Sequence, residues 1–195
     1  NYADFGLGTW HPKNGMFDVV KAMENLALEL GVKFEFNANV NKIVVEEGKA
    51  IAIVINNSRV EADVILSGAD YHHSETLLDD EFRMYSEKYW DSRVFAPSSL
   101  LFYVGFNRKI ENISHHALFF DVDFDQHARD IYDEPKWPAE PLFYANFPSI
   151  TDQSAAPEGM ESGFFLIPLA PGIEDTPALR EKYFDKIIDR FETLT

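Results

Sequence analysis

Apolar residues recur with a helical period and then with a strand period at the start of the chain. From Met16 to Leu30 they return every three or four positions, which predicts an amphipathic helix. Asn14 is the expected N-cap of this helix, and Gly31 stands where a left-handed residue ends one. Residues 32–36 alternate apolar with charged side chains, the pattern of a half-buried strand.

Residues 42–66 predict a meander of three strands followed by one buried strand. The meander strands are expected at 42–47, 50–56 and 59–61, with turns at 47–49 and 56–58. Residues 64–66 form a short apolar run between small residues, as expected of a strand buried on both faces. A helix, a strand, a meander and a returning strand match the second half of a dinucleotide-binding domain.

From residue 71 onward the pattern predicts a second unit of mixed sheet and helices. Ser74 is the expected cap of a helix that runs to Tyr89, and Thr176-Pro177 is typical of a helix start. Residues rich in Phe, Tyr, Leu and Ile predict four strands between these helices, at 98–106, 116–121, 142–147 and 163–169.

Composition restricts the classes of function. The 195 residues carry a formal charge of −16, which disfavours binding to nucleic acid because phosphate backbones are also negative. There is no cysteine, so disulfides and thiolate metal sites are excluded. No apolar run approaches the roughly 20 residues that a membrane-spanning helix needs.

Metal sites and the common hydrolytic arrangements are not expected. The pairs His72-His73 and His115-His116 are adjacent, so on a strand their side chains point to opposite faces. Residues 121–132 begin like a calcium loop, but Gln126 replaces its glycine and Tyr132 its last glutamate, so a solvated acidic loop is the better interpretation. Spacing alone supports no Ser–His–Asp triad and no pair of catalytic carboxylates.

Several segments together resemble the carotenoid (phytoene) desaturase family of FAD-dependent oxidoreductases, in order and spacing across nearly the whole chain. In the first part they are Gly8-Thr9-Trp10-His11-Pro12-Lys13-Asn14-Gly15-Met16, Glu29-Leu30-Gly31-Val32, Val40-Asn41-Lys42-Ile43, Ala62-Asp63 and Ala69-Asp70. In the second part they are Ala96-Pro97-Ser98-Ser99, His115-His116, Phe119-Phe120, Pro148-Ser149-Ile150-Thr151-Asp152, Ala156-Pro157-Glu158-Gly159 and Leu166-Ile167-Pro168.

The resemblance implies a fold of class α/β plus α+β. Residues 1–70 are expected to be a partial FAD/NAD(P)-binding, Rossmann-like domain, and residues 71–195 a mixed-sheet substrate-binding domain with helices. The family's N-terminal G-x-G-x-x-G turn and its C-terminal flavin-closing segment have no counterpart in the chain. Gly6-Leu7-Gly8 is not the N-terminal turn, because it follows no strand and lacks the third glycine. Asn14 replaces the first glycine of a family pair, and asparagine tolerates the left-handed backbone that such a turn needs.

The resemblance also assigns candidate site residues, each beside a purely structural alternative. Val40 is expected to meet the adenine edge through its main chain, or else to pack a strand end. Ser67, Gly68 and Ala69 end a buried strand with small residues, which suits close approach of a cofactor or a tight packing corner. The turn Asn14-Gly15-Met16 is expected near substrate or flavin, because a helix N-terminus favours anions, or else is an ordinary cap.

The implied function is that of a desaturase in carotenoid biosynthesis. The full-length protein is expected to remove hydride from a long apolar polyene, to bind FAD, to lie in the cytoplasm and to contact a membrane peripherally. A polyene isomerase or a retinol-type saturase of the same family fits the same residues. A different class also fits: an apolar-ligand binding or interaction module without redox activity. Catalytic residues and oligomeric state do not follow from the sequence.

Residues 1–195 alone are expected to be inactive and to release FAD at micromolar concentration, because a pyrophosphate turn supplies much of the hold on a dinucleotide. The measurement is the absorbance spectrum of the purified chain after incubation with FAD and desalting. A yellow protein with the flavin bands retained contradicts this expectation.

Overall fold

The structure is a computed structural model that describes residues 6–8 and 10–195, so residues 1–5 and 9 of the predicted first domain lie outside it. The chain forms two compact units, one of residues up to Leu30 together with Phe95–Thr195, the other of Gly31–Val94. The predicted division at residue 70 separates two functions, and it stays a prediction.

The helices and strands follow one another along both units. The helices are α1 (Phe17–Glu29), α2 (Tyr71–Thr76), α3 (Glu87–Asp91), α4 (Phe124–Tyr132) and α5 (Pro177–Leu194). The strands are β1 (Val40–Glu46), β2 (Lys49–Ile55), β3 (Ser58–Glu61), β4 (Ser98–Phe106), β5 (His116–Phe119), β6 (Phe143–Asn146) and β7 (Glu161–Leu169).

The smaller unit contains the predicted meander, with β1, β2 and β3 in sequence order and antiparallel. Each of its two turns has consecutive left-handed residues. Glu47 and Gly48 have φ of 50° and 74°, and Asn56 and Asn57 have 48° and 66°. Such turns match the right-handed twist of the strands they connect, so the two hairpins form where the sequence predicts them.

The strand predictions at 32–36 and 64–66 are wrong. Neither segment pairs with a strand among the described residues, and Val64 and Leu66 are 83% and 93% exposed. The rings of Phe34 and Phe36 nevertheless lie parallel, 6.2 Å apart, so residues 34 and 36 share one side as in a strand. The alternation is therefore real, but a strand also needs a neighbour with which to exchange backbone hydrogen bonds.

The single helix predicted from Ser74 is also wrong. Asp70 caps α2 by accepting a hydrogen bond from the His73 amide, and the chain leaves the helix after Thr76. The buried carboxylate of Glu75 accepts from the Met84 amide at 2.8 Å and from the Trp90 indole at 3.1 Å. These bonds fold the chain back on itself, which a continuous helix does not allow.

The larger unit is built on an antiparallel sheet of strand order β4-β7-β6-β5. All four predicted strands are present: β4 has its predicted bounds, β5 and β6 are each two residues shorter, and β7 begins two residues earlier. In β7, every second residue from Glu161 to Leu169 is buried. Successive side chains of a strand point to opposite faces, so the buried residues form the core face of the sheet and the residues between them lie on the other face.

Helix α5 covers the core face. Tyr183, Ile187 and Phe191 of α5 are buried against the sheet. The Phe191 ring lies 5.3 Å from the ring of Phe165 in β7. Gly163 leaves room for these aromatic rings, because a Cβ there would lie 2.8 Å from the Phe106 ring.

Helix α4 replaces the acidic loop that the sequence predicted, and that prediction is wrong. Asp123 caps the helix by accepting a hydrogen bond from the Gln126 amide. His127 on this helix is 3% exposed. Its Nδ1 accepts from the Leu142 amide at 2.9 Å, so Nε2 carries the proton and donates to the Pro168 carbonyl at 2.9 Å.

Helix α1 begins at Phe17, so Asn14 is not its N-cap. Asn14 has a φ of 66°, and its side-chain amide donates to Asp18 at 2.9 Å. The left-handed backbone expected at Asn14 is thus confirmed, whereas the expected cap is wrong. Among residues 6–8 and 10–195, no helix has the length and apolar character to cross a bilayer.

Replacement His127→Phe is expected to lower the free energy of unfolding by about 2 to 4 kcal/mol, because it leaves a buried amide and a buried carbonyl without partners. The matched control is His73→Phe on the exposed side of α2, which is expected to change little. Urea unfolding followed by circular dichroism measures both. Equal midpoints for the two variants contradict the linking role of His127.

Candidate functional site

The face of the larger sheet opposite α5 carries apolar and aromatic side chains across all four strands. Two cross-strand rows lie side by side on it, one of Leu101, Leu166, Tyr144 and Leu118, the other of Tyr103, Phe164, Asn146 and His116. We call these eight residues the open face. Tyr103 is 80% exposed and Leu118 63%. An exposed apolar surface of this extent usually marks a ligand or partner site.

The turn that precedes α1 lies beside the aromatic end of the open face. Asn14 and Gly15 both have left-handed backbones, with φ of 66° and 94°. Together with Met16 they line a cavity of about 470 Å³ whose other walls include Tyr103 and Phe164. The structure therefore brings the three predicted substrate- or flavin-proximal residues to an apolar cavity, and their role there stays a prediction.

The other side of the same turn is polar. A second cavity, of about 740 Å³, is lined by Trp10, His11, Lys13, Asn14, His115, His116, Thr151, Asp152, Gln153 and Ser154. The His11 and His115 rings lie 5.0 Å apart, and the His115 and His116 rings 4.5 Å apart. Asp152 is the acidic residue of this lining, and its carboxylate lies 3.8 Å from His11 Nε2.

The surroundings shift two of these pKa values downward. Burial is the main cause that lowers the pKa of His115, and the neighbouring His116 and His11 lower it further. The pKa of Asp152 is lowered chiefly by hydrogen bonds from the Ser154 side chain and backbone, with smaller contributions from the Asn14 amide and His11. At neutral pH the cavity therefore holds a neutral His115 beside an ionised Asp152.

A hydrogen-bonded group ends the open face at the β5 edge. His116 Nδ1 lies 2.6 Å from the Tyr144 hydroxyl and 3.2 Å from the Asn146 amide nitrogen. The same amide nitrogen donates to the His115 carbonyl at 3.1 Å, so Asn146 presents donors and His116 Nδ1 accepts. These bonds fix the polar end of an otherwise apolar surface.

The predicted cofactor residues Val40, Ser67, Gly68 and Ala69 lie in the smaller unit. Val40 begins β1, the edge strand of the meander, so part of its backbone faces away from β2. Residues 67–69 are exposed and lie outside helices and strands. A Cβ built on Gly68 meets nothing within 4 Å, so a ligand has access to this backbone. These residues fit a dinucleotide that approaches main-chain atoms, and their role stays a prediction.

The sequence interpretation missed the residues that surround the turn from the sheet side. The sequence pattern assigned Tyr103 and Phe164 to strands, but it did not decide whether their side chains line a cavity or pack in the core. Asp152 was part of a family-like segment, without a role. His115 was considered as a metal ligand and as part of a family-like segment, and His11 only as part of such a segment; within the described part of the chain no three metal-ligating side chains come together. Proximity of His11 to Asp152 follows only from the tertiary fold, because 141 positions separate them in the sequence.

Comparison with known proteins identifies curated relatives over nearly the whole chain. A carotenoid 3,4-desaturase from Haloarcula japonica is 38% identical over 189 residues, which are 96% of this chain and 38% of that protein. A zeta-carotene-forming phytoene desaturase from Myxococcus xanthus is 31% identical over 196 residues, 96% of this chain and 37% of that protein. The chain thus spans less than two fifths of each, and the resemblance to carotenoid desaturases is confirmed.

A solved structure shares the fold. The crystal structure of an oxidoreductase from Methanosarcina mazei superposes with a TM-score of 0.62 at 16% identity, over 91% of this chain and 37% of that one. The predicted fold class, part of an FAD-binding α/β fold joined to further sheet and helices, is confirmed. A family model described as flavin containing amine oxidoreductase matches residues 1–177, and the chain therefore belongs to the flavin containing amine oxidoreductase family.

Proposed function

We propose that the full-length protein is an FAD-dependent, carotenoid desaturase-like oxidoreductase that removes hydride from a long apolar polyene bound on the open face. Membership of a flavin-containing family supports the cofactor. Two relatives named as desaturases of carotenoids, at 38% and 31% identity, support the substrate class.

The observation that carries the proposal is the open face itself. It runs across four strands, and Leu101, Tyr103 and Leu118 on it are at least 40% exposed. A polyene laid on these side chains removes apolar surface of both molecules from water, which is worth about 0.8 kcal/mol for each buried methylene-sized group. A flat, extended ligand matches a sheet surface better than it matches a deep pocket.

In the proposed reaction the cofactor and the side chains of this chain have different roles. FAD supplies the acceptor for the hydride that leaves a substrate C–H bond. Tyr103 and Phe164 exclude water and orient the polyene, and the turn at Asn14, Gly15 and Met16 faces them across the cavity. Val40 and Ser67–Ala69 are the proposed main-chain contacts of the cofactor. Hydride transfer depends mainly on orientation and an apolar surround, and the double bond forms once the neighbouring carbon also loses a proton to water or to a base.

The polyene substrate dissolves in lipid, so the proposal includes a peripheral contact with a membrane surface. The open face would receive the substrate from the bilayer without a helix crossing it. Isomerase, saturase and simple binding activities use the same surface, and they are the other outcomes of the test below.

The test is incubation of the full-length protein and FAD with phytoene in liposomes, with the absorbance spectrum followed over time. New bands at longer wavelength support a desaturase. Spectral change without loss of hydrogen, measured by mass spectrometry, indicates an isomerase, and gain of hydrogen indicates a saturase. Polyene binding without any reaction indicates the binding module and contradicts the proposal.

Replacement Tyr103→Ser is expected to raise the KM for the polyene about ten-fold, because the lost ring contact is worth roughly 1.4 kcal/mol. Tyr103 is 80% exposed, so folding does not depend on its ring. The matched control is Tyr132→Ser at the end of α4, where the ring is 60% exposed and lies outside the open face. Equal KM values for the two variants place the substrate elsewhere.

A further inference from the structure

The carboxylate of Asp152 is held in one orientation by its own loop. Its Oδ1 accepts hydrogen bonds from the Ser154 amide at 3.0 Å and from the Ser154 hydroxyl at 2.6 Å. The Asp152 amide donates to the Pro148 carbonyl at 2.9 Å. Three bonds therefore fix both the backbone and one oxygen, and the second oxygen, Oδ2, points away from this loop.

Asp152 Oδ2 is buried and has no hydrogen-bond partner within the described structure. The nearest basic atom is His11 Nε2 at 3.8 Å, and that atom is also buried and without a partner. Two facing orphaned polar atoms are rare in a folded protein and need an explanation. A gap of 3.8 Å is too short to hold a bridging water, so the carboxylate lies directly against the imidazole.

The turn that follows His11 has an unfavourable backbone conformation, which a contact with Asp152 would stabilise. Asn14 and Gly15 are consecutive left-handed residues, which an asparagine adopts at an energetic cost. Within the turn, the Gly15 amide donates to the Pro12 carbonyl at 3.0 Å. Asn14 and Asp152 line the same two cavities, so the carboxylate lies beside this turn.

We propose that Asp152 is a positioning residue, which holds the turn at Asn14 and Gly15 over Tyr103 and Phe164 through its contact with His11. The inference rests on the proposed function, because the turn is useful only if substrate or cofactor meets it at the 470 Å³ cavity. Asp152 also lines this cavity, and the role proposed for it is to hold the turn rather than to react with the substrate.

The other charged and titratable groups around the pair are compatible with this role. His115 packs edge-on against His11 and is held neutral by its surroundings, so it does not compete for the carboxylate. His116 bonds to Tyr144, and Asp18 is engaged by the Asn14 side chain. Lys13 lines the polar cavity on the same loop as His11.

The first experiment measures the turn directly by amide hydrogen exchange. In Asp152→Asn the side chain can still accept from Ser154, but it presents an NH₂ group to His11 in place of an oxygen. Exchange of the amides of Gly15, Asp18 and Val19, which are bonded within the turn and first helical residues, is expected to accelerate at least ten-fold, an order of magnitude typical of losing local structure.

The matched control is Asp175→Asn. Asp175 is also a carboxylate with a lowered pKa, caused chiefly by its hydrogen bond with Arg180, and it lies on the exposed surface before α5. Exchange in residues 12–19 should be unchanged in this variant. Equal exchange in both variants and in the unaltered protein overturns the positioning role.

The second experiment compares kinetics in the full-length protein. Asp152→Asn is expected to lower kcat by about 10- to 100-fold with KM within about two-fold, since a misplacement near 1 Å costs about this much and the open face still binds the polyene. His11→Gln should give a similar loss. The double variant should lose no more than Asp152→Asn alone, because both changes break one contact.

The outcomes separate this inference from the proposed function. If the unaltered protein fails to oxidise any polyene, the proposed function fails, while the exchange experiment still decides whether Asp152 holds the turn. If the unaltered protein is active and Asp152→Asn matches Asp175→Asn in kcat, the positioning role is overturned. A rise in KM with kcat unchanged also overturns it, because that result assigns Asp152 to substrate binding.

Discussion

Packing of α5 on one face of the antiparallel sheet is the interaction on which the larger unit depends. Strand β7 pairs with β4 on one side and β6 on the other, and its buried residues meet Tyr183, Ile187 and Phe191 of α5. Phe191 alone lies within 6.4 Å, ring centre to ring centre, of Phe106, Phe119, Phe147 and Phe165. Burial of aromatic rings on this scale dominates the stability of a small core. The opposite face of the sheet is left exposed in the part of the chain that the structure describes.

The exposed face of the sheet supplies the apolar and aromatic side chains of the candidate site. The side chains that alternate with the core residues are apolar in the middle and polar at the β5 edge, where His116 bonds to Tyr144. The turn before α1 lies against the aromatic end, with one apolar and one polar cavity on its two sides. The two cavities share His11, Asn14, Asp152 and Ser154, so this turn connects the exposed sheet face with the polar group around Asp152.

Local patterns predicted the elements that local forces determine. The two hairpins of the meander follow from turn residues that accept left-handed backbones, and the strands of the larger sheet follow from dense aromatic and β-branched runs. The helix from Ser74 failed because a buried Glu75 draws the later chain back, a contact between residues far apart in the pattern. Residues 32–36 and 64–66 failed as strands because the period of a strand does not supply its partner.

The sequence also predicted only part of the candidate site. A left-handed Asn14 followed from the replacement of a family glycine by the residue that best tolerates that backbone, and its neighbours Gly15 and Met16 do reach a cavity. The facing pair of His11 and Asp152 was not predictable, because no spacing rule connects the loop before α1 with the loop after β6. Burial of His127 was hidden for the same reason, since its two partners belong to distant segments.

The period of two in β4 and β7 has a consequence for how such a protein can change. Phe164 and Leu166 project to one side of β7, whereas Phe165 and Ile167 project to the other. Positions on the exposed face and positions in the core therefore alternate along the same strands. Substitutions in the first set can change the exposed surface in size and polarity while the second set keeps the molecule folded.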